Sequence, residues 1–220
     1  MSQTRLFLDT EFTGLHQQTS LISLAIVAET GRAFYAEFSD FKKDQLTPWL
    51  EENVLSHLTM TKQRDGYIDQ ATENLIQVKG NHAFVRSLIE TFLGQFEAVG
   101  FWIDYVAFDW VLFCELWGGS MELPKHVYYI PFCFSTHLSE NGIDPNIDRI
   151  QLLDSAVQGQ IGPKHHAYWD VMLNKLVFQQ LGTNVTMELK QILELLPIYW
   201  TIDNFFSNGI MPHFGISQQV

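Results

Sequence analysis

Leu6-Phe7-Leu8-Asp9-Thr10-Glu11 is an apolar run that ends in two carboxylates one residue apart. Side chains alternate along a strand with period two, so Asp9 and Glu11 point to one face while Thr10 points to the other. Two acids at the end of a buried strand need compensation, because burying uncompensated charge is too costly to persist. No Lys or Arg follows closely until Arg32. A hard divalent cation held by oxygen ligands, Mg²⁺ or Mn²⁺, answers that need. Taken alone, the pair more often marks an exposed strand whose acids simply face water, so the decision rests on the rest of the chain.

Outward from this strand, Leu21 to Glu29 is a near-continuous apolar run of the kind buried on both faces. Thr30-Gly31-Arg32 is a turn signal, and Ala33 to Phe38 returns as a third strand, predicting a hairpin. Pro48 opens a short helix reaching Leu58, and the polar stretch 59 to 80 reads as a surface excursion. Asn81 is placed to cap a helix carrying Phe84, Val85, Leu88, Ile89 and Phe92 at helical spacing, with Gly94 ending it. Ala98 to Ile103 reads as a strand, followed by a helix capped by Asp104 and stopped by Gly118-Gly119. Residues 120 to 164 are irregular apart from a short strand around Tyr128-Tyr129-Ile130. Two further helices are expected, from about His166 to Leu181 and from Thr186 to Leu196, before Pro197 and an aromatic tail with Phe205, Phe206 and Phe214. Strands in a hairpin followed by alternating helices and strands predict an α/β fold, a mixed sheet with helices on its faces.

The bulk properties agree with one domain. The chain has 220 residues, 46% of them hydrophobic and 17% charged, enough for a sizeable core and against long disorder. Its longest apolar stretches are strand-sized, so no membrane span is expected. The start carries no apolar export segment. Cys114 and Cys133 lack metal spacing and read as buried free thiols; cytoplasm is the expected compartment. A formal net charge of −12 argues against a tight duplex binder, whose affinity would come from Lys and Arg. It is compatible with transient contact to a short single strand through acid-held metals.

Two further acids join the first pair. On the helix after Asp104, Leu112, Phe113 and Leu116 form the core-facing stripe, and Asp109 falls on that stripe three and four positions earlier. A carboxylate on a buried face calls for a ligand or partner. Downstream stands Lys164-His165-His166-Ala167-Tyr168-Trp169-Asp170. On one continuous helix His165 and Asp170 would lie about 140° apart. They converge only if His165 belongs to the preceding loop, which Gly162-Pro163 favours. A loop histidine beside a helix-borne acid suits a proton-transfer group, though a surface histidine in a turn would look the same. His57, His82, His126, His137, His166 and His213 have no comparable context.

Phe7-Leu8-Asp9-Thr10-Glu11-Phe12-Thr13-Gly14-Leu15, Ala107-Phe108-Asp109 and His165-x-Ala167-x-x-Asp170 resemble the three motifs of the DEDD (Asp-Glu-Asp-Asp) 3′–5′ exonucleases, in the subtype with histidine in the third motif. The resemblance runs over roughly residues 5 to 181 in the family's order and spacing. Phe113 to Gly118, Leu123-Pro124 and the Ser20 to Phe38 hairpin are more narrowly similar to the polyadenylate-specific exoribonuclease AS group. The departures are Val171 after the last acid, the bulky Tyr168-Trp169, and Asp104-Tyr105 in place of a polar His-Asn; none removes a ligand.

The resemblance implies a ribonuclease H-like fold, with residues 1–181 as the exonuclease domain and 182–220 as a C-terminal helix and tail packed on it. It implies metal-dependent hydrolysis in which Asp9, Glu11, Asp109 and Asp170 hold two Mg²⁺ ions, Mn²⁺ being able to substitute, and His165 takes a proton from water. Nucleoside 5′-monophosphates would leave single-stranded RNA 3′ ends, with adenylate-rich ends suggested by the narrower similarity. Phe12, Thr13 and Leu15 would contact the terminal bases; as residues, Phe12 and Leu15 serve equally as caps of the first strand's core. A homodimer is also suggested. DNA trimming or proofreading is the alternative within the enzyme class, and a catalytically silent RNA-binding module the alternative outside it.

Overall fold

A computed structural model describes residues 3–195 of the chain. Contacts divide the chain into two compact units, Met1–Gln179 and Gln180–Val220, and the candidate site belongs to the first. Strand β1 (Thr4–Phe12) is followed by β2 (Leu21–Ala28) and β3 (Ala33–Phe38), helix α1 (Pro48–Asn53), and strands β4 (Tyr67–Gln70) and β5 (Leu75–Gly80). Then come α2 (His82–Leu93), β6 (Val99–Ile103), α3 (Val106–Glu115), β7 (Phe132–Cys133), α4 (Phe134–Glu140), α5 (Ser155–Gln158) and α6 (Ala167–Leu195). The strands form one seven-stranded sheet in the order β4-β5-β3-β2-β1-β6-β7. β1, β2 and β3 are joined antiparallel, while β6 runs parallel to β1 and β5 parallel to β3. This is the expected α/β architecture, a mixed sheet flanked by helices.

The alternation of β1 sorts its side chains between two cores. Leu6 and Leu8 join Leu24, Ile26, Phe34, Phe101 and Phe113 in the larger core. Phe7 goes to the opposite face with Ala25, Val27, Tyr35, Ala167 and Val171 of α6. Asp9 and Glu11 continue the Phe7 face, toward the start of α6, and Thr10 continues the Leu8 face, toward α3. The central strand β2 is buried along its whole length, as its continuous apolar run requires. The sheet register shifts between Glu11 and Phe12, a bulge of the type that re-aims side chains beside functional sites.

Several local expectations are met by the backbone. The side chain of Asn81 accepts from Phe84 N–H at 2.9 Å and caps α2, and Gly94 is its C-cap. Thr47 caps α1, with Pro48 in the first turn. Other segments differ. The stretch 59–80 is no simple excursion, because β4 and β5 extend the sheet beyond β3; its alternating, half-exposed side chains hide an edge hairpin from an apolar-run criterion. The short strand of the 120–164 region lies at Phe132–Cys133 rather than 128–130, with one bridge between Val99 and Val127. Cys114 is buried but Cys133 only partly so, and both are free thiols. The helix expected from 186 is part of α6, which runs unbroken to Leu195. The aromatic tail beyond Pro197 lies outside the described residues. Among the described residues no helix is long and apolar enough to cross a membrane.

Asp104 does not cap α3. Tyr105 is the N-cap residue and makes no side-chain cap. The Asp104 carboxylate instead receives Arg149 Nε at 3.0 Å, an Arg149 terminal nitrogen at 2.8 Å and Ser135 Oγ at 2.6 Å. A fixed guanidinium offers two parallel charge-assisted bonds, which outweigh one exposed N-terminal amide as a partner.

Candidate active site

The carboxyl ends of β1 and β6 lie side by side, with Leu8 paired to Ile103. Crevices outside such strand ends are where open α/β sheets form their sites. A cleft of about 1000 Å³ opens there, and Asp9, Glu11, Asp109, His165 and Asp170 all line it. Three elements therefore converge: β1 brings Asp9 and Glu11 from one sheet face, α3 brings Asp109 from the other, and the first turn of α6 brings Asp170. His165 precedes α6 in a bend, as the convergence argument requires. It adopts φ of 60°, the only positive φ among the described non-glycine residues. Gly162 supplies the close approach before it, since a Cβ there would run into the Trp169 indole.

Ligand atoms of Glu11, His165 and Asp170 lie within 4.8 Å of one another, close enough to share one ion. Asp109 is 2% exposed and accepts a 2.6 Å hydrogen bond from the Thr10 hydroxyl, so the middle residue of Asp-Thr-Glu ties β1 to α3. Among the described residues, none of the four acids forms an ion pair with Lys or Arg. Arg149 lines the cleft, but its donors are taken by Asp104, Ser135 and the carbonyls of Pro145 and Ile147. It fastens the 145–150 wall to the end of β6 and has no donor left for the acids.

The electrostatic result is a set of acids that hold protons unusually well. Burial, then the charges of Asp170 and Asp109, pushes Glu11 up to about 8. Burial raises Asp109 to about 7 against the Thr10 hydroxyl, which lowers it. Burial likewise lifts Asp170 to about 6, opposed by the backbone N–H groups of His165 and His166. Asp9 stands well above the carboxylate range, chiefly from burial and then from Asp109, Asp170 and Glu11. His165 is lowered, first by burial and then by the Lys164 charge. Oxygen-rich donors with this unmet negative charge fit a hard divalent cation, and a neutral imidazole beside them fits a proton acceptor.

The three residues assigned to base contact fare differently. Phe12 lines the cleft and stacks on Phe108, ring centroids 5.3 Å apart, which in turn stacks on Tyr105. Leu15 is 69% exposed at the cleft, so it is not a core cap. Thr13 is nearly buried; its hydroxyl accepts Ser20 N–H at 2.9 Å and bonds Gln45, which holds the loop after β1. Trp49 also lines the cleft, half exposed, with its ring edge against His165 at 5.0 Å between centroids. Only Pro48 beside it hinted at position, and nothing at role. Tyr105 and Lys164 line the cleft as well; as chain neighbours of Asp104 and His165 they carry no separate sequence signal of a role.

Comparison with known proteins identifies a family. The family model described as "3'-5' exoribonuclease Rv2179c-like domain" matches residues 4–181. Two curated relatives are 3'-5' exoribonuclease Rv2179c of Mycobacterium tuberculosis strain ATCC 25618 / H37Rv and 3'-5' exoribonuclease MT2234.1 of strain CDC 1551 / Oshkosh. Each is 30% identical over 125 residues, which is 56% of this chain and 67% of the relative.

The raised carboxylates set a sign for stability against pH. Unfolded Asp and Glu titrate at about 3.9–4.3, so over the span from there to the Glu11 value of about 8 the native state binds more protons than the unfolded one. Stability of the metal-free protein then falls as pH rises through that span. With EDTA present, the melting temperature should drop between pH 5 and pH 8.5, and Mg²⁺ should restore most of the loss at the alkaline end. A flat EDTA profile, or a decline that Mg²⁺ leaves unchanged, would contradict the shared acidic site.

Proposed function

This chain belongs to the Rv2179c-like 3′–5′ exoribonuclease family, and from that premise we propose that it is a metal-dependent 3′–5′ exoribonuclease that releases nucleoside 5′-monophosphates from single-stranded RNA. The observation that carries this reading is the meeting of four acids and one neutral histidine in a single cleft with no Lys or Arg paired to the acids among the described residues.

Asp9, Glu11, Asp109 and Asp170 would hold two Mg²⁺ ions, with Mn²⁺ able to replace them. Such a pair, when bound, supplies Lewis acidity to the scissile phosphate and its flanking oxygens. His165 accepts the proton of the attacking water on a ring nitrogen, which its depressed proton affinity leaves free at neutral pH. The water oxygen forms the new bond to phosphorus, the bond to the 3′ oxygen breaks, and that oxygen ends protonated from solvent. Trp49, set edge-on against the His165 ring, limits its rotation. Thr10 orients the Asp109 carboxylate.

The walls of the cleft explain how a chain of net charge −12 can take a polyanion. The Tyr105-Phe108-Phe12 stack, Trp49 and Leu15 offer rings and apolar surface to bases, and stacking contributes about 1–3 kcal/mol per base without reading sequence. Lys164 is mostly exposed beside His165 and pairs loosely with Asp148 at 3.7 Å, leaving it available to a phosphate. Stacking of this kind favours purines over pyrimidines by the size of the face alone, and adenylate-rich ends are proposed on the narrower resemblance.

Turnover of His165→Ala should fall about 10²–10⁴-fold with the fold intact by circular dichroism; near-normal turnover would remove His165 from the reaction. Asp109→Asn should abolish hydrolysis and weaken Mg²⁺ or Mn²⁺ binding in a calorimetric titration, an unchanged isotherm counting against a ligand role. For the substrate, matched 5′-labelled RNA and DNA oligonucleotides with adenylate and other 3′ tails should be compared with Mg²⁺ or EDTA. RNA is expected to shorten stepwise from its 3′ end only with the metal, adenylate tails fastest. Equal trimming of DNA would make the enzyme a general exonuclease, and binding without cleavage would make it a silent RNA-binding module.

A further inference from the structure

His165 and His166 are neighbours in sequence with opposite surroundings. His165 borders the cleft, whereas His166 is 5% exposed. The His166 imidazole lies nearly flat on the Tyr35 ring, centroids 4.8 Å apart and planes 22° from parallel. Tyr35 is itself fully buried in β3, in the register row that runs Asp9, Ala25, Tyr35 across three strands. Its hydroxyl donates to Glu37 Oε1 at 3.1 Å. The same oxygen accepts the backbone N–H groups of Thr59 at 2.6 Å and Met60 at 2.9 Å. Tyr35 is thereby fixed at both its ring and its hydroxyl, and it gives His166 a rigid floor.

The backbone above that floor does two jobs. The His166 carbonyl accepts the N–H groups of Trp169 and Asp170 at 2.8 and 3.1 Å, opening α6. The backbone N–H groups of His165 and His166 act on the Asp170 carboxylate, opposing the rise in its proton affinity. Between these bonds sits His165 at φ of 60°, a left-handed conformation that side-chain-bearing residues avoid unless their surroundings impose it. Neither ring nitrogen of His166 has a hydrogen-bond partner among the described residues. The ring is therefore held by stacking and shape, and it takes no part in the chemistry assigned to the cleft.

We propose that His166 is a positioning residue: its ring, seated on Tyr35, locks the left-handed turn that aims the His165 imidazole into the cleft and opens the helix that carries Asp170. This rests on the proposed roles of His165 and Asp170. The device joins the proton acceptor to the sheet row that carries Asp9, so the acceptor and the acids keep one frame of reference. A flat ring is what the site needs, and the polar atoms of imidazole are incidental to it.

Steady-state hydrolysis of a 3′-adenylate RNA oligonucleotide with Mg²⁺ tests this in four variants. His166→Gln, which keeps polarity but loses the ring, should lower kcat roughly tenfold to a hundredfold, the scale of a small misplacement of a catalytic group, while KM stays within about threefold. His166→Phe keeps the ring and should recover most of that loss, with a melting temperature no lower than the wild type, since two unpaired buried nitrogens are replaced by carbon. In a His165→Ala background, adding His166→Gln should cost less than it does alone, because the group it aims is gone. The positioning claim is overturned if His166→Phe is as impaired as His166→Gln, if the two losses multiply fully, or if His166→Gln has normal kcat while His165→Ala is crippled. Near-normal turnover in His165→Ala would instead overturn the proposed role of His165, and the positioning claim with it.

Discussion

Four carboxylates share one partly dehydrated cleft, and the protein places no Lys or Arg in an ion pair with any of them among the described residues. Burial raises the proton affinity of every member, and repulsion from the other acids of the set adds to it at Asp9 and Glu11. Such a cluster stores unfavourable energy that only protons or a hard cation relieve. The surrounding structure is arranged to hold it together regardless. Thr10 fastens Asp109 to β1, the His166 carbonyl receives the Asp170 N–H at the start of α6, and Arg149 is spent on Asp104 and the 145–150 wall instead of on the site.

Because β1 alternates, one strand serves two helices. Its Leu6-Leu8-Thr10 edge packs toward α3 and its Phe7-Asp9-Glu11 edge toward α6. The apolar members anchor each helix in a separate core, and the polar members at the strand's end then meet the acid that each helix carries. Packing energy in two cores is in this way converted into the geometry of one site. The proposed positioning stack of His166 on Tyr35 belongs to the same logic, since it ties the loop histidine to the face that holds Asp9.

Much of this was legible along the chain, for definite physical reasons. The acids of β1 were readable because period-two alternation fixes their common face, and Asp109 because an acid on an apolar helical stripe is anomalous. The placement of His165 outside α6 followed from the angle separating it from Asp170. Other features left no local trace. Asp104 has the composition of a helix cap, yet a guanidinium 45 residues away outcompetes the helix for it. Tyr35, Glu37 and His166 look like ordinary strand and turn residues, and Trp49 like part of a short helix. The edge strand β4 and its neighbour β5 lack the apolar runs that mark buried strands, because β4 is mostly exposed and β5 only partly buried.

Periodicity, caps and the spacing of acids are properties of neighbouring residues, so the sequence alone determined α2, α3, the central strands, the family resemblance and the choice of candidate acids and His165, whereas the short helices α4 and α5 lie in a stretch that reads as irregular. Contacts between distant segments depend on how the sheet twists and where loops land, and local preference does not encode them. Tertiary structure alone therefore decided that Arg149 is occupied, that Thr13 braces a loop, that Leu15 and Trp49 face the cleft, and that of two adjacent histidines one borders the cleft while the other is buried against Tyr35.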